Sequence, residues 1–254
     1  MKVILLQTDI VWADPGRNVR RAEQLMDRHP DGDLFVLPEM FSTGFCTQPV
    51  GIAEPAAGSV TLAWMKRQAQ ERRCAIAGSI AIEDEGRFFN RFHFVYPDGE
   101  TVCYDKRHLF TYGGEDRQYT PGTERVVVDY RGVRILLQIC YDLRFPVFAR
   151  NRNDYDMMVY IASWPVARID AWKTLIRARA LENQCYVAAV NRIGSDPYCR
   201  YNGGTALIDP YGRTLAACPD DEEGAAIAEI NVQALAAFRK KFPVLDDADM
   251  FTLD

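Results

Sequence analysis

Cys140 closes the apolar run Ile135-Leu136-Leu137-Gln138-Ile139 and opens the polar one Tyr141-Asp142-Leu143-Arg144. A cysteine beside such a run is ordinarily a small buried hydrophobe. Here the run has strand character, and the sulfur falls where the strand stops, which is where ligand crevices form in α/β sheets. An elbow-like turn after Ile139 would expose the thiol and aim the next backbone N–H groups at a bound carbonyl. A thiol of pKa ~8.5 is only a few per cent thiolate at neutral pH, so it needs a base. Of the three histidines, His29 stands in a turn, His93 interrupts an apolar strand, and His108 is a runner-up. Glu39 is better placed, at the end of Leu34-Phe35-Val36-Leu37-Pro38, where partial desolvation suits a carboxylate to accept a proton.

A second cation-bearing segment, Tyr104-Asp105-Lys106-Arg107-His108, puts Tyr104, Lys106 and His108 on one face if its backbone is extended. A lysine aimed at the pocket, with the Tyr141 backbone N–H, would stabilise an oxyanion, and one such donor is typically worth about 3 kcal/mol of barrier. A third apolar run, Val159-Tyr160-Ile161-Ala162, ends on Ser163-Trp164. Three converging strand ends could build one pocket.

Pro38-Glu39-Met40, Tyr104-Asp105-Lys106-Arg107-His108-Leu109-Phe110 and Cys140-Tyr141-Asp142-Leu143-Arg144-Phe145-Pro146 resemble, in this order, the three signatures of the nitrilase superfamily. The similarity extends over essentially the whole chain and includes Ser163-Trp164-Pro165 and Arg177-Ala178-Arg179-Ala180-Leu181-Glu182-Asn183. The resemblance implies an α/β fold, a four-layer αββα sandwich of two mixed β-sheets with outer helices. It also implies Glu39 as general base, Lys106 as oxyanion stabiliser and Cys140 as nucleophile. Glu115, in Gly113-Gly114-Glu115-Asp116, matches a second glutamate that orients the lysine and the leaving group, and His108 then takes a structural role. Two carboxylates around one lysine are tolerable in a low-dielectric pocket only if each is paired, so Lys106 is expected to bridge them.

Met40-Phe41-Ser42-Thr43-Gly44-Phe45 and Ser163-Trp164-Pro165-Val166-Ala167-Arg168 are most similar to the ω-amidase branch, which implies monoamides of dicarboxylates as substrates, of the 2-oxoglutaramate and succinamate type. A remote carboxylate calls for a guanidinium fork and aromatic walls. Phe41, Phe45, Tyr141, Trp164 and Arg168 are the candidates, with Arg144 as one that could equally serve a structural ion pair. A nitrilase or an N-carbamoyl amino acid amidohydrolase would share the three catalytic residues. A non-catalytic binding member of the fold is the alternative from another class, and the retained Glu39, Lys106 and Cys140 argue against it.

The elements that must position these groups alternate between strand and helix. With 254 residues, nearly half of them apolar, the chain can bury one large core, and a single domain over 1–254 is expected. Strands are expected at Val3–Leu6, Leu34–Leu37, Ala75–Ile80, Val126–Val128, Arg134–Ile139, Met157–Ile161 and Tyr186–Asn191. A hairpin through Pro97-Asp98-Gly99 joins Phe92–Tyr96 to Thr101–Tyr104. Helices are expected near Asn18–Arg28, Ser59–Arg73 and Asp170–Gln184. Gly204–Ile208, Leu215–Cys218 and Ala225–Ile230 are expected to close the second half as antiparallel strands.

A net charge of -5 and a pI near 5.4 argue against nucleic acid and anionic membrane surfaces as partners. No apolar run approaches the ~18 residues of a membrane span, and Gln7 and Asp9 cut the opening run below the length of a signal peptide's apolar region. A cytoplasmic protein is expected. Seven scattered cysteines, none in C-x-x-C spacing, predict reduced thiols and no zinc constellation, so neither metal nor cofactor is expected. The family resemblance implies at least a homodimer, with the segment from Phe242 to Asp254 lying on a partner.

Overall fold

Val3 and Leu5 point to one side of the first strand and Ile4 and Leu6 to the other, and both sides are buried. A strand apolar on both faces must lie between two layers. A computed structural model describes residues 1–252. In chain order its first half comprises β1 (Lys2–Gln7), α1 (Pro15–Asp27), β2 (Leu34–Val36), β3 (Glu54–Pro55), α2 (Val60–Arg72), β4 (Ala75–Asp84), β5 (Arg87–Val95) and β6 (Thr101–Asp105). The second half comprises β7 (Val127–Tyr130), β8 (Val133–Ile139), α3 (Pro146–Ala149), β9 (Met157–Ala162), α4 (Ile169–Glu182), β10 (Tyr186–Asn191), β11 (Ile193–Ser195), β12 (Arg200–Asn202), β13 (Ala206–Ile208) and β14 (Thr214–Ala217), followed by β15 (Gly224–Glu229) and α5 (Val232–Lys241).

One sheet runs β15-β1-β2-β4-β5-β6, with β3 on β4, and the other runs β14-β13-β10-β9-β8-β7. Each has a parallel centre, β1-β2-β4 in the first and β8-β9-β10 in the second, extended by antiparallel strands. The inward residues Val3, Leu5, Val36 and Phe94 meet Ile135, Leu137, Val159 and Ala188 in one core between the sheets. On the outside of the first sheet, Leu25 and Met26 of α1 and Trp64, Met65 and Ala69 of α2 cover Ile4, Leu6, Phe35 and Ile76. On the outside of the second, Trp172, Ile176 and Ala180 of α4 cover Leu136, Met158 and Tyr160. The result is the expected αββα sandwich of mixed sheets. Among the described residues no helix is long and apolar enough to cross a membrane.

The helix limits follow their caps. Asp14 accepts the Arg17 N–H at 2.9 Å ahead of Pro15, and Ser59 accepts the Leu62 N–H at 3.0 Å, each satisfying a backbone donor the first turn leaves open. Three strand readings need correction. The strand expected at Phe92–Tyr96 begins at Arg87, because Glu85 (φ 49°) and Gly86 (φ 73°) form a tight turn of positive φ joining β4 to β5. The hairpin β11–β12 was not foreseen. The strand expected at Ala225–Ile230 belongs to the first sheet, antiparallel to β1 from Lys2↔Glu229 to Gln7↔Gly224. Its Ala226 faces the inter-sheet core, while Ala225 and Ile227 face the α1–α2 side. The segment expected to lie on a partner holds an exposed Phe242 and Met250, and its Leu253 and Asp254 lie outside the described residues.

Gly122 shows how closely the chain wraps the segment that carries Lys106. Its N–H donates to the Lys106 carbonyl at 2.9 Å, and a Cβ there would sit 2.1 Å from the Asp105 carbonyl oxygen. Backbone cannot yield as a flexible side chain does. Gly122→Ala is therefore expected to cost about 1–3 kcal/mol of stability through overpacking, read as a lower urea midpoint at unchanged slope; an unaltered midpoint would show that the contact relaxes freely.

Candidate active site

Glu39 and Cys140 hang from the ends of interior strands, one in each sheet, and Lys106 from the end of the first sheet's edge strand. Glu39 follows β2, and the next residue, Met40, takes φ +44° while its N–H donates to Ser79 Oγ at 2.8 Å. Lys106 follows β6, where its N–H donates to the Asn90 carbonyl of β5 at 3.0 Å. Cys140 follows β8, takes φ +46° and begins the 3-10 turn Cys140–Arg144. Positive φ at a non-glycine residue is costly and concentrates at functional turns. Here it turns the chain sharply just after Glu39 and at the thiol.

The polar centre is a buried lysine held between two buried carboxylates. Lys106 Nζ donates to Glu39 Oε1 at 2.9 Å and to Glu115 Oε2 and Oε1 at 2.9 and 3.2 Å. All three side chains are closed to solvent. Asn90 Nδ2 bridges the same carboxylates, at 2.8 Å to Glu39 Oε1 and 3.1 Å to Glu115 Oε1. Backbone donors complete the set: the Ser163 N–H reaches Glu39 Oε2 at 2.9 Å and the Phe110 N–H reaches Glu115 Oε2 at 2.6 Å. Lys106 thus bridges the carboxylates as its expected role requires.

Electrostatics set the resting protonation of this cluster. Burial alone would lower the Lys106 pKa, but Glu115 and Glu39 outweigh it and hold the ammonium well above its ordinary value. Burial raises the Glu115 carboxyl and Lys106 opposes it, with Glu39 adding to the rise. Burial and the neighbouring Glu39 push the Cys140 thiol well up, against the pull of Lys106 and a hydrogen bond from the Ser163 backbone. At neutral pH the centre holds a thiol and an ammonium ion.

A cavity of about 350 Å³ opens above the centre, lined by Glu39, Lys106 and Cys140 and by Phe45, Tyr141, Arg144, Trp164 and Arg168, a size suited to a small molecule. The Lys106 ammonium lies 5.1 Å from the centre of the Phe45 ring. Arg144 lies over Trp164 at 5.0 Å and Arg168 over Phe110 at 5.3 Å. Neither arginine forms an ion pair with a carboxylate among the described residues. The structural ion pair considered for Arg144 is absent there. Trp164 is held by its own N–H on Asn191 Oδ1 at 2.7 Å and by its indole N–H on the Arg168 carbonyl at 2.8 Å.

Two residues depart from their expected places. Phe41 is not on the cavity wall; it packs in the core under α2, its ring 5.9 Å from that of Trp64. Gly78 leaves the room for it, since a Cβ there would stand 3.0 Å from the Phe41 ring. His108 does not face the cavity with Lys106. Its Nδ1 lies 2.8 Å from Asp142 Oδ1, and its ring stacks on Phe145 at 3.9 Å. The extended backbone ends at Asp105, so the one-face reading fails beyond it.

Sequence reasoning missed Asn90, a lone polar residue inside an apolar strand, and the far wall made by the loop of β11–β12. That loop brings Asp196, Tyr198 and Cys199 to the cavity, with Tyr201 of β12. Asp196 organises it, accepting the Tyr198 and Cys199 N–H groups at 2.8 Å each and the Tyr201 hydroxyl at 2.6 Å. The pattern Ser195-Asp196-Pro197 carries turn chemistry and could have signalled the loop, but not where it lands.

Comparison with known proteins agrees with this architecture. The family model described as carbon-nitrogen hydrolase matches residues 2–240. The omega-amidase YafV of Escherichia coli K12 is 43% identical over 254 residues, covering 100% of this chain and 98% of that protein. The 2-oxoglutaramate amidase of Bacillus subtilis 168 is 35% identical over 247 residues, covering 95% of each. Among solved structures, XC1258 of Xanthomonas campestris, a CN-hydrolase superfamily protein with an arsenic adduct in its active site, superposes with a TM-score of 0.96 at 41% identity, over 100% of this chain and 99% of that one. Yeast Nit3, a member of branch 10 of the nitrilase superfamily, superposes with a TM-score of 0.86 at 26% identity, over 96% and 94%. With its matched length, its two-sheet sandwich and its buried Glu39–Lys106–Glu115 cluster beside Cys140, the chain belongs to the carbon-nitrogen hydrolase family, as an enzyme of amidase type.

Proposed function

We propose that the protein hydrolyses the terminal amide of a dicarboxylate monoamide, of the 2-oxoglutaramate or succinamate type, to the dicarboxylic acid and ammonia through a thioester on Cys140. The observation that carries this reading is the joining of two features in one cavity: the Glu39–Lys106–Cys140 cluster at its floor and, on its wall, two arginines without carboxylate partners among the described residues. The names of the Escherichia coli and Bacillus subtilis relatives support the same substrate class.

In this mechanism Glu39 takes the Cys140 proton as the sulfur attacks the amide carbon. The carbonyl oxygen becomes an oxyanion, met by the Lys106 ammonium and the Tyr141 backbone N–H. Lys106 has a proton to offer, because its contact with Glu115 Oε1 is the longest of its three, at 3.2 Å against 2.9 Å for the others. Glu39 returns its proton to the nitrogen as the carbon–nitrogen bond breaks, and ammonia leaves. Glu39 then takes a proton from water, the hydroxide attacks the thioester, and the departing sulfur recovers the proton. Glu115 keeps the lysine charged and aimed throughout. The substrate's far carboxylate pairs with Arg168 or Arg144, whose guanidinium groups suit its geometry.

Ammonia release from 2-oxoglutaramate, succinamate, glutamine, a carbamoyl amino acid and a simple nitrile tests the substrate assignment. The two dicarboxylate monoamides are expected to be turned over fastest, and a best rate on the nitrile or the carbamoyl compound would reject it. Cys140→Ala, Lys106→Ala and Glu39→Gln should each lower kcat by at least about 10²-fold, with wild-type turnover in all three sinking the mechanism. Arg168→Gln and Arg144→Gln separate the two carboxylate partners: the true one raises KM for succinamate by about 10- to 100-fold, the range of a lost charge-assisted hydrogen bond, and leaves an uncharged linear amide unaffected. Equal effects on both amides would remove the arginine from that role.

A further inference from the structure

Asp142 stands two residues after the nucleophile, is fully buried, and takes no part in the chemistry above. Four donors converge on its carboxylate. Oδ2 accepts the Tyr104 hydroxyl at 2.7 Å and the Ile139 N–H at 2.9 Å. Oδ1 accepts the His108 N–H at 3.0 Å and faces His108 Nδ1 at 2.8 Å. A carboxylate only accepts, so the imidazole carries a proton on Nδ1. The Tyr104 hydroxyl in turn accepts the Arg107 N–H at 3.1 Å, and the His108 ring lies flat on Phe145 with its edge toward Phe148.

These contacts tie together the two segments that the reaction must hold in register. Tyr104, Arg107 and His108 flank Lys106 and belong to the first sheet's side of the cavity. Ile139 and Phe145 flank the Cys140 turn and belong to the second sheet's side. The hydrogen bonds of Lys106 Nζ run to Glu39 and Glu115 and do not reach the Cys140 turn, whose far side is held by Arg179 on the Leu143 carbonyl. Hydrogen bonds to a charged acceptor are stronger and more directional than neutral ones, and four of them on one buried group leave that group no alternative pose.

We infer that Asp142 and His108 are positioning residues for amide hydrolysis, locking the Cys140 turn to the Lys106 segment so that sulfur and ammonium keep their relative placement through the reaction. The inference rests on the nucleophile and oxyanion assignments proposed above. Its consequence is a separation of effects, because neither Asp142 nor His108 lines the cavity. Loosening it should slow the chemical step and leave substrate binding alone, and misplacement on the order of 1 Å costs about 10²-fold in rate.

His108→Phe keeps a ring to stack on Phe145 and removes the Nδ1 donor, while His108→Asn restores a donor near the Nδ1 position. On the full-length enzyme with succinamate, His108→Phe is expected to lower kcat by about 10- to 100-fold with KM within about twofold of wild type, and to slow alkylation of Cys140 by iodoacetamide. His108→Asn should recover most of the lost kcat, although it loses the stacking. Wild-type kcat in His108→Phe overturns the inference. So does a fall in kcat matched by a rise in KM or a lower melting temperature that His108→Asn fails to reverse, since that is the signature of a merely structural residue. Cys140→Ala, assayed alongside, keeps the two questions apart: full turnover there defeats the nucleophile assignment itself, whatever His108→Phe does.

Discussion

The rest of the molecule depends on a single ammonium group kept charged where there is no water. Lys106 sits between Glu39 and Glu115 with all three side chains closed to solvent, a placement whose desolvation cost is recovered only if each charge meets several well-aimed partners. Those partners come from everywhere in the fold. Asn90 arrives on β5, the Ser163 N–H from the end of β9, and the Phe110 N–H from the loop beyond Lys106. Because the donors belong to both sheets, the sandwich and the charge cluster specify each other. A slip of one residue in β5 would turn Asn90 to the opposite face and leave two carboxylates sharing one lysine.

That cluster also decides what kind of nucleophile the protein can have. Many cysteine enzymes keep a ready thiolate beside a protonated imidazole. Here burial and Glu39 favour the thiol, and the nearest histidine is turned away toward Asp142. In the proposed mechanism the sulfur then becomes strongly nucleophilic only while Glu39 holds its proton, in step with attack. Lys106, which eases the thiolate, would do so from the same atom that the proposal sets against the oxyanion, so that charge develops on sulfur and on oxygen against one fixed cation.

Much of this was legible in the residues, for identifiable reasons. Apolar runs that stop on Glu39, Cys140 and Ser163 reveal strand ends, and strand ends in parallel sheet centres face a crevice. The start of the second helix at Ser59 was legible, whereas the first begins at Pro15 behind the Asp14 cap, three residues before the start expected at Asn18. What stayed hidden is what only contact can decide. Asn90 looks like any polar interruption of an apolar strand. Phe41 sits one residue beyond the Glu39–Met40 turn, and the direction of that turn depends on the positive φ of Met40 and on the space left by Gly78, which lies far along the chain. The alternating small residues of Ala225–Ile230 declare a strand and say nothing about which sheet accepts it. Asp142 was visible within its motif, but its four donors come from segments more than thirty residues apart in sequence as well as from its own turn.

The pairing of β1 with β15 bears on how such a chain acquires its structure. The edge of the first sheet is completed by residues 224–229 hydrogen-bonded to residues 2–7, and the Met1 amino group donates to the Ile230 carbonyl across 229 positions. Contacts of such separation are entropically late and slow to form. During synthesis on the ribosome, Glu39, Lys106 and Cys140 all emerge long before the strand that seals the sheet supporting Glu39. Until then one flank of β1 stays open, with backbone donors and acceptors available to any other extended chain. The nascent protein therefore passes through a stage in which Glu39, Lys106 and Cys140 have been made while β1, buried on both faces in the finished sheet, stands as the open edge, a place later taken by the less apolar β15.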